Sequence, residues 1–144
     1  MSGDANCVFC KIAAGELPAS IVYQTESLVA FLDITPLADG HLLLIPRKHY
    51  SRLVEMTPED CGDVCSSLPI LGRALMDVTG SQAFNVLQNN GPDAGQVVPH
   101  VHFHLIPRGS TDGLGYRWNT GKYAPGQDTA LAEAYRSLLG QASS

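Results

Sequence analysis

The chain has 144 residues, 44% of them hydrophobic, which suits one compact domain with a core that needs no disulfide staples. Nine Lys and Arg against 14 Asp and Glu give a formal net charge of -5, which argues against a protein held on nucleic acid by bulk electrostatics and leaves any phosphate ligand to local, directed donors. No run reaches the ~18 to 20 apolar residues of a membrane span, and Met1 to Asn6 has neither a basic nor a hydrophobic segment, so the expectation is a soluble cytoplasmic protein with no membrane or nucleic-acid partner.

In chain order, Val8 to Ala14 reads as a short helix or turn ended by Gly15, and Pro18 favours extended structure before it. Strands are expected at Ile21 to Gln24, Leu28 to Asp33 and His41 to Ile45, with Thr35-Pro36 and Ala38-Asp39-Gly40 between the last two as turns, an antiparallel meander. Thr57 then caps a helix with Pro58 at its first position and Glu59 and Asp60 in its first turn. Val64, Leu68, Leu71, Leu75 and Val78 form its apolar stripe, Gly80 stops it, and Pro69 is expected to kink it or break it in two.

Ala83 to Gln88 and His100 to Ile106 read as two further strands, separated by the turn-rich loop Asn89 to Gly95. From Gly109 to Gln127 the chain is polar and Gly-rich, and Asp128 or Thr129 then caps a last helix through Leu139, closed by Gly140. Five strands and two or three helices predict an α+β domain.

Three of the five histidines fall in His100-Val101-His102-Phe103-His104. On a strand they share one face, with Val101, Phe103 and Leu105 on the other. Neighbouring imidazoles would start ~6.6 Å apart and the outer pair ~13 Å, too far for one ion to be bound by all three. An extended anion fits better, with the middle ring at the reacting atom. Incidental histidines on a half-exposed strand are the alternative, disfavoured by the strict period of two.

The string His100 to Ile106 resembles the signature of the histidine triad family, and Asn89-Asn90-Gly91-Pro92-Asp93-Ala94-Gly95-Gln96 resembles the loop before it. The resemblance covers roughly Cys7 to Arg108. It implies a single domain over 1–144, with a motif-bearing core at 7–108 and an extension at 109–144, that pairs into a homodimer and binds a purine nucleotide. His102 would be the nucleophile, with its tautomer fixed by an acceptor, such as a backbone carbonyl, on the other nitrogen. His104, the Asn89 amide and backbone N–H groups near Gly95 and Gln96 would donate to the α-phosphate. Asp33 would accept the ribose hydroxyls, Phe9, Ile12, Phe31 and Ile34 would wall the base, and His41 would support the nucleophile, although a structural hydrogen bond suits it equally.

The C-x-x-C pair Cys7 and Cys10 has the spacing for one zinc ion. By the same resemblance, His49 and His100 complete a structural zinc site. Cys61 and Cys65, four apart on a helix, read as packing or free thiols. Val97 departs from the Ser or Thr usual after the Gly-Gln pair in phosphoramidate-cleaving branches, which bears on how a leaving group is protonated. Gly113 to Asn119 would line the cleft or pack a dimer.

The implied function is hydrolysis of an adenosine 5′-phosphoramidate through a nucleotidyl-histidine. Cleavage of dinucleoside polyphosphates by hydrolysis or phosphorolysis is the runner-up. A nucleotide-binding regulator with little turnover and a zinc-stabilised interaction module are the non-enzymatic alternatives.

Overall fold

Strands β2 (Leu28–Leu32) and β3 (Leu42–Pro46) are nearly unbroken apolar runs because both of their faces are covered. The computed structural model describes residues 3–115 and 120–142. Side chains of alternate parity enter two separate cores. Val29, Phe31, Leu43 and Ile45 pack with Cys7, Phe9, Cys10 and Ile12 of the amino-terminal segment. Leu28, Ala30, Leu42 and Leu44 pack with Val64, Leu71 and Leu75.

The amino-terminal layer is α1 (Val8–Ala13), and the layer on the opposite face is α2 (Pro58–Thr79). The sheet is completed by β1 (Ile21–Gln24), β4 (Ala83–Gln88) and β5 (Phe103–Arg108), in the order β1-β2-β3-β5-β4, antiparallel throughout. The first three strands are the expected meander. Helix α2 then carries the chain past the sheet to the β4 edge, so β5 returns between β4 and β3. That return sets His104 opposite Leu43, on the α1 side.

The caps of α2 follow the sequence. The Thr57 hydroxyl accepts the Asp60 N–H at 3.2 Å, and Gly80 closes the helix in the left-handed region at φ 74°. The expected break at Pro69 does not occur, and α2 runs through all 22 residues. Pro69 lies on the exposed side, where the carbonyl it leaves without a donor can bond water, while the buried stripe continues through Ser67, Leu71 and Leu75. Val78 is not part of that stripe, being 84% exposed in the last turn.

At Gly72 a Cβ would come within 2.5 Å of the Phe84 ring, which makes this glycine the contact point of α2 with β4. Gly72→Ala is therefore expected to destabilise the fold by about 1 to 3 kcal/mol in urea titration, overpacking outweighing the gain in helix propensity.

Two compact units are separable, 1–114 and 115–144. The second holds α3 (Gln127–Leu139), which ends at Gly140 as expected but starts at Gly126 with no side-chain cap. Neither Asp128 nor Thr129 caps it, because the chain already turns at Gly126 (φ 80°) and Gln127 Oε1 accepts the Ala124 N–H. Among the described residues no helix is long and apolar enough to cross a membrane.

Candidate active site

The expected strand over His100 to Ile106 begins only at Phe103. Pro99 has no N–H, the His100 N–H turns back to Val98 O, and the Val101 N–H bonds Tyr50 O at 2.7 Å. His100 and His102 are thus held by loop contacts, and the single face with three imidazoles is not formed. His100 turns to the amino-terminal cysteines. His102 and His104 stay neighbours, ring centroids 5.0 Å apart, and His41 packs against His104 at 5.1 Å.

Cys7, Cys10, His49 and His100 bring four ligand atoms within 4.8 Å of one another. The His100 Nε2–H donates to Pro46 O at 2.8 Å, so its Nδ1 is bare, and that atom faces His49 Nδ1 at 3.2 Å and the two sulfurs at 3.4 and 3.5 Å. Cys10 Sγ is 3.3 Å from His49 Nδ1. Ideal tetrahedral zinc bonds give edges of about 3.6 Å between S and N and about 3.3 Å between two nitrogens. Two cysteine sulfurs and two imidazole nitrogens at these spacings are a donor set that fits a four-coordinate metal ion.

The second face of this segment opens into a cavity of about 700 Å³. Phe9, Ile12, Phe31 and Ile34 line it, as do Asp33, His41, Gly95, Val97, His102 and His104, so most residues singled out from the sequence meet there. Asn89 and Gln96 are not among the residues that line it. The Asn89 amide sits against Gly95, and Gln96 braces the loop, its amide donating to Ser51 O while its Oε1 accepts the Gly91 N–H. The Gly95 and Gln96 N–H groups are engaged by Pro92 O and Gly91 O. The donors expected there fall instead to Val97 and Val98, whose N–H groups have no acceptor among the described residues.

His102 is buried at the edge of the Phe9 ring, and its Nδ1–H donates to His100 O at 2.7 Å. Nε2 therefore carries the lone pair, the arrangement a nucleophilic imidazole needs. His41 supports His104 rather than His102: its Nδ1 accepts the Leu37 N–H at 3.1 Å and its Nε2 lies 2.9 Å from His104 Nδ1. Asp33 Oδ1 accepts the Thr35 N–H and hydroxyl, and its Oδ2 is 3.6 Å from His41 Nε2. Asp33, His41 and His104 lie close enough to hold a metal, but the Leu37 N–H obliges His41 to keep its proton on Nε2, so His41 donates to His104 while Asp33 Oδ2 stays 3.6 Å away, beyond hydrogen-bond reach. These backbone partners have no side-chain signature, so Leu37, Pro46 and Tyr50 could not be found in the sequence.

The description "HIT domain" matches residues 14–111. The chain belongs to the HIT family. It is 40% identical over 135 residues to the adenosine 5′-monophosphoramidase hnt1 of Schizosaccharomyces pombe, covering 93% of this chain and 98% of that one. It is 45% identical over 109 residues to the adenylylsulfatase HINT3 of Arabidopsis thaliana, covering 76% of this chain but only 55% of that longer relative. Among solved HIT-like structures, SMU.412c of Streptococcus mutans matches with a TM-score of 0.91 at 36% identity, over 96% of this chain and 89% of that one. A zinc-bound histidine triad family protein of Mycobacterium smegmatis matches with a TM-score of 0.73 at 32% identity, over 92% and 97%.

Burial, reinforced by the His102 and His41 rings, holds the His104 pKa down to about 4, against the weaker pull of Asp33. Burial likewise lowers that of His41. The unfolded chain, with histidines near about 6.5, binds these protons first. Stability is thus complete above about pH 6.5 and is expected to fall on acidification from there toward about pH 4, which urea titrations at stepped pH will show. Replacing His104 by Gln is expected to flatten that slope.

Proposed function

We propose that this protein hydrolyses a purine nucleoside 5′-monophosphate derivative through a nucleotidyl-histidine on His102, with adenosine 5′-phosphoramidate as the substrate read first and AMP as the product. The observation that carries this is the 2.7 Å bond from His102 Nδ1 to His100 O, which leaves Nε2 as a bare lone pair at the cavity wall. Such a group is wasted in a protein that only binds. The relatives named adenosine 5′-monophosphoramidase support the P–N reading.

In this reading His104 donates its Nε2–H to an α-phosphate oxygen, joined by the Val97 and Val98 N–H groups and the Asn89 amide. Asp33 accepts ribose hydroxyls, and Phe9, Ile12, Phe31 and Ile34 hold the base. Zinc held by Cys7, Cys10, His49 and His100 is structural, tying the amino-terminal segment to the sheet. The domain is read as a cytoplasmic homodimer.

AMP release from adenosine 5′-phosphoramidate and from diadenosine tetraphosphate, followed by chromatography for wild type and His102→Ala, tests the reading. His102-dependent release from the phosphoramidate supports it. Release from the tetraphosphate alone would transfer it to dinucleoside polyphosphates, and none from either would leave a binding protein.

A further inference from the structure

Asp60 is a buried carboxylate, 8% exposed, that belongs neither to the cavity nor to the cluster of cysteines and histidines. It stands in the first turn of α2, three residues after the Thr57 cap. In a capping box the acid at this position reaches back to the N-cap N–H. The Asp60 carboxylate reaches Tyr50 instead, and its Oδ2 accepts the Tyr50 hydroxyl at 2.5 Å. Its other partner, the Lys48 ammonium at 3.4 Å, is 60% exposed and holds it weakly. The Thr57 hydroxyl already caps the helix, so α2 does not need this carboxylate, and a buried charge adds little to stability.

Tyr50 lies where the chain between β3 and α2 passes the segments that bear on the cavity, and its main chain holds one of them. Its carbonyl accepts the Val101 N–H at 2.7 Å. Val101 is fully buried between His102 and His100, whose carbonyl orients His102. The next carbonyl, that of Ser51, accepts the Gln96 amide at 2.7 Å, and Gln96 Oε1 in turn accepts the Gly91 N–H. Two consecutive carbonyls thus hold both the histidine segment and the loop before it. The residues that carry them belong to no strand, and bonds to side chains fix them: the Tyr50 hydroxyl to Asp60, and the Ser51 N–H to Glu55 Oε2 at 3.0 Å.

We propose that Tyr50 and Asp60 are positioning residues for the nucleophile. Their bond ties the two carbonyls to the first turn of α2 and so sets where His102 Nε2 stands against the α-phosphate. The inference rests on the His102 attack proposed above, and neither residue lines the cavity. Attack requires the nitrogen close to phosphorus and in line with the departing group, and a misplacement of about 1 Å costs up to ~100-fold. The cavity residues read as holding base and ribose come from α1, β2 and the turn after it, so binding is spared when the platform loosens.

The test measures kcat and KM for AMP release from adenosine 5′-phosphoramidate, Val101 amide exchange by NMR, and metal content. Tyr50→Phe and Asp60→Ala are each expected to lower kcat by ~10-fold with KM within about twofold. Both should speed Val101 exchange by ~10-fold while the amides of β2 and β3 keep their protection. Asp60→Asn, which keeps an acceptor for the hydroxyl, should recover most of the loss. The double variant should be no slower than either single one, because both break the same bond. A purely structural pair would lower Tm and leave kcat unchanged at temperatures where the fold is intact. Unchanged kcat or unchanged Val101 exchange in Tyr50→Phe and Asp60→Ala overturns the inference, as does Asp60→Asn as slow as Asp60→Ala, or a loss that tracks metal leaving the neighbouring His49. AMP release that is lost in His102→Ala but indifferent to Tyr50 and Asp60 ends this inference alone. Release that survives His102→Ala ends it together with the proposed function.

Discussion

Replacing His102 with alanine is expected to lower kcat/KM for AMP release by ~10⁴-fold or more while the fold survives. The size follows from the division of labour in the cavity. Donors such as the His104 Nε2–H and the Val97 and Val98 N–H groups would still bind the phosphate, but nothing would remain to form the covalent bond. The fold should tolerate the change because the ring touches its surroundings mainly at the Phe9 edge, the His104 ring and the His100 carbonyl. A KM close to wild type with a collapsed kcat separates a lost nucleophile from a damaged pocket. A Tm drop as large as that of a core truncation would point to misfolding instead.

Removing the proposed zinc is the second large perturbation. Chelation, or Cys10→Ser, is expected to cost on the order of 3 kcal/mol or more, about 10 °C in Tm, read by thermal unfolding alongside metal content. The cluster joins α1 to the segment that leads into β5, and without an ion the bare Nδ1 of His100 faces His49 Nδ1 at 3.2 Å. The same residue supplies the carbonyl that orients His102, so AMP release should fall in parallel. Zinc should restore chelated wild type but not Cys10→Ser. A metal-free protein that melts at the temperature of the loaded one would show that the four side chains merely pack.

The elements of the fold were legible where local chemistry dictates them. The Thr57 cap, the Gly80 stop and the β4 bounds are set by the residues themselves. Pro69 misled because its cost depends on which side of the helix it occupies, and that is a property of the assembled domain. The histidine segment was legible as chemistry and not as geometry. Alternation predicts one shared face, whereas Pro99 and the Tyr50 carbonyl keep His100 and His102 out of the ladder and free them for different neighbours. The role of His41 could not be read in advance because a backbone N–H, that of Leu37, decides it. Tyr116, Arg117, Trp118 and Asn119, expected to line the cleft or pack a dimer, lie outside the described residues.

The central claim is a covalent bond between His102 and the nucleotide's α-phosphorus. Rapid-quench mass spectrometry of the protein during turnover of adenosine 5′-phosphosulfate or adenosine 5′-phosphoramidate, followed by peptide mapping, tests it most directly. An adenylyl group on the peptide that carries His102, present in wild type and absent in His102→Ala, is the expected result. An adenylyl group on any other residue, or undiminished AMP release by His102→Ala, would contradict it.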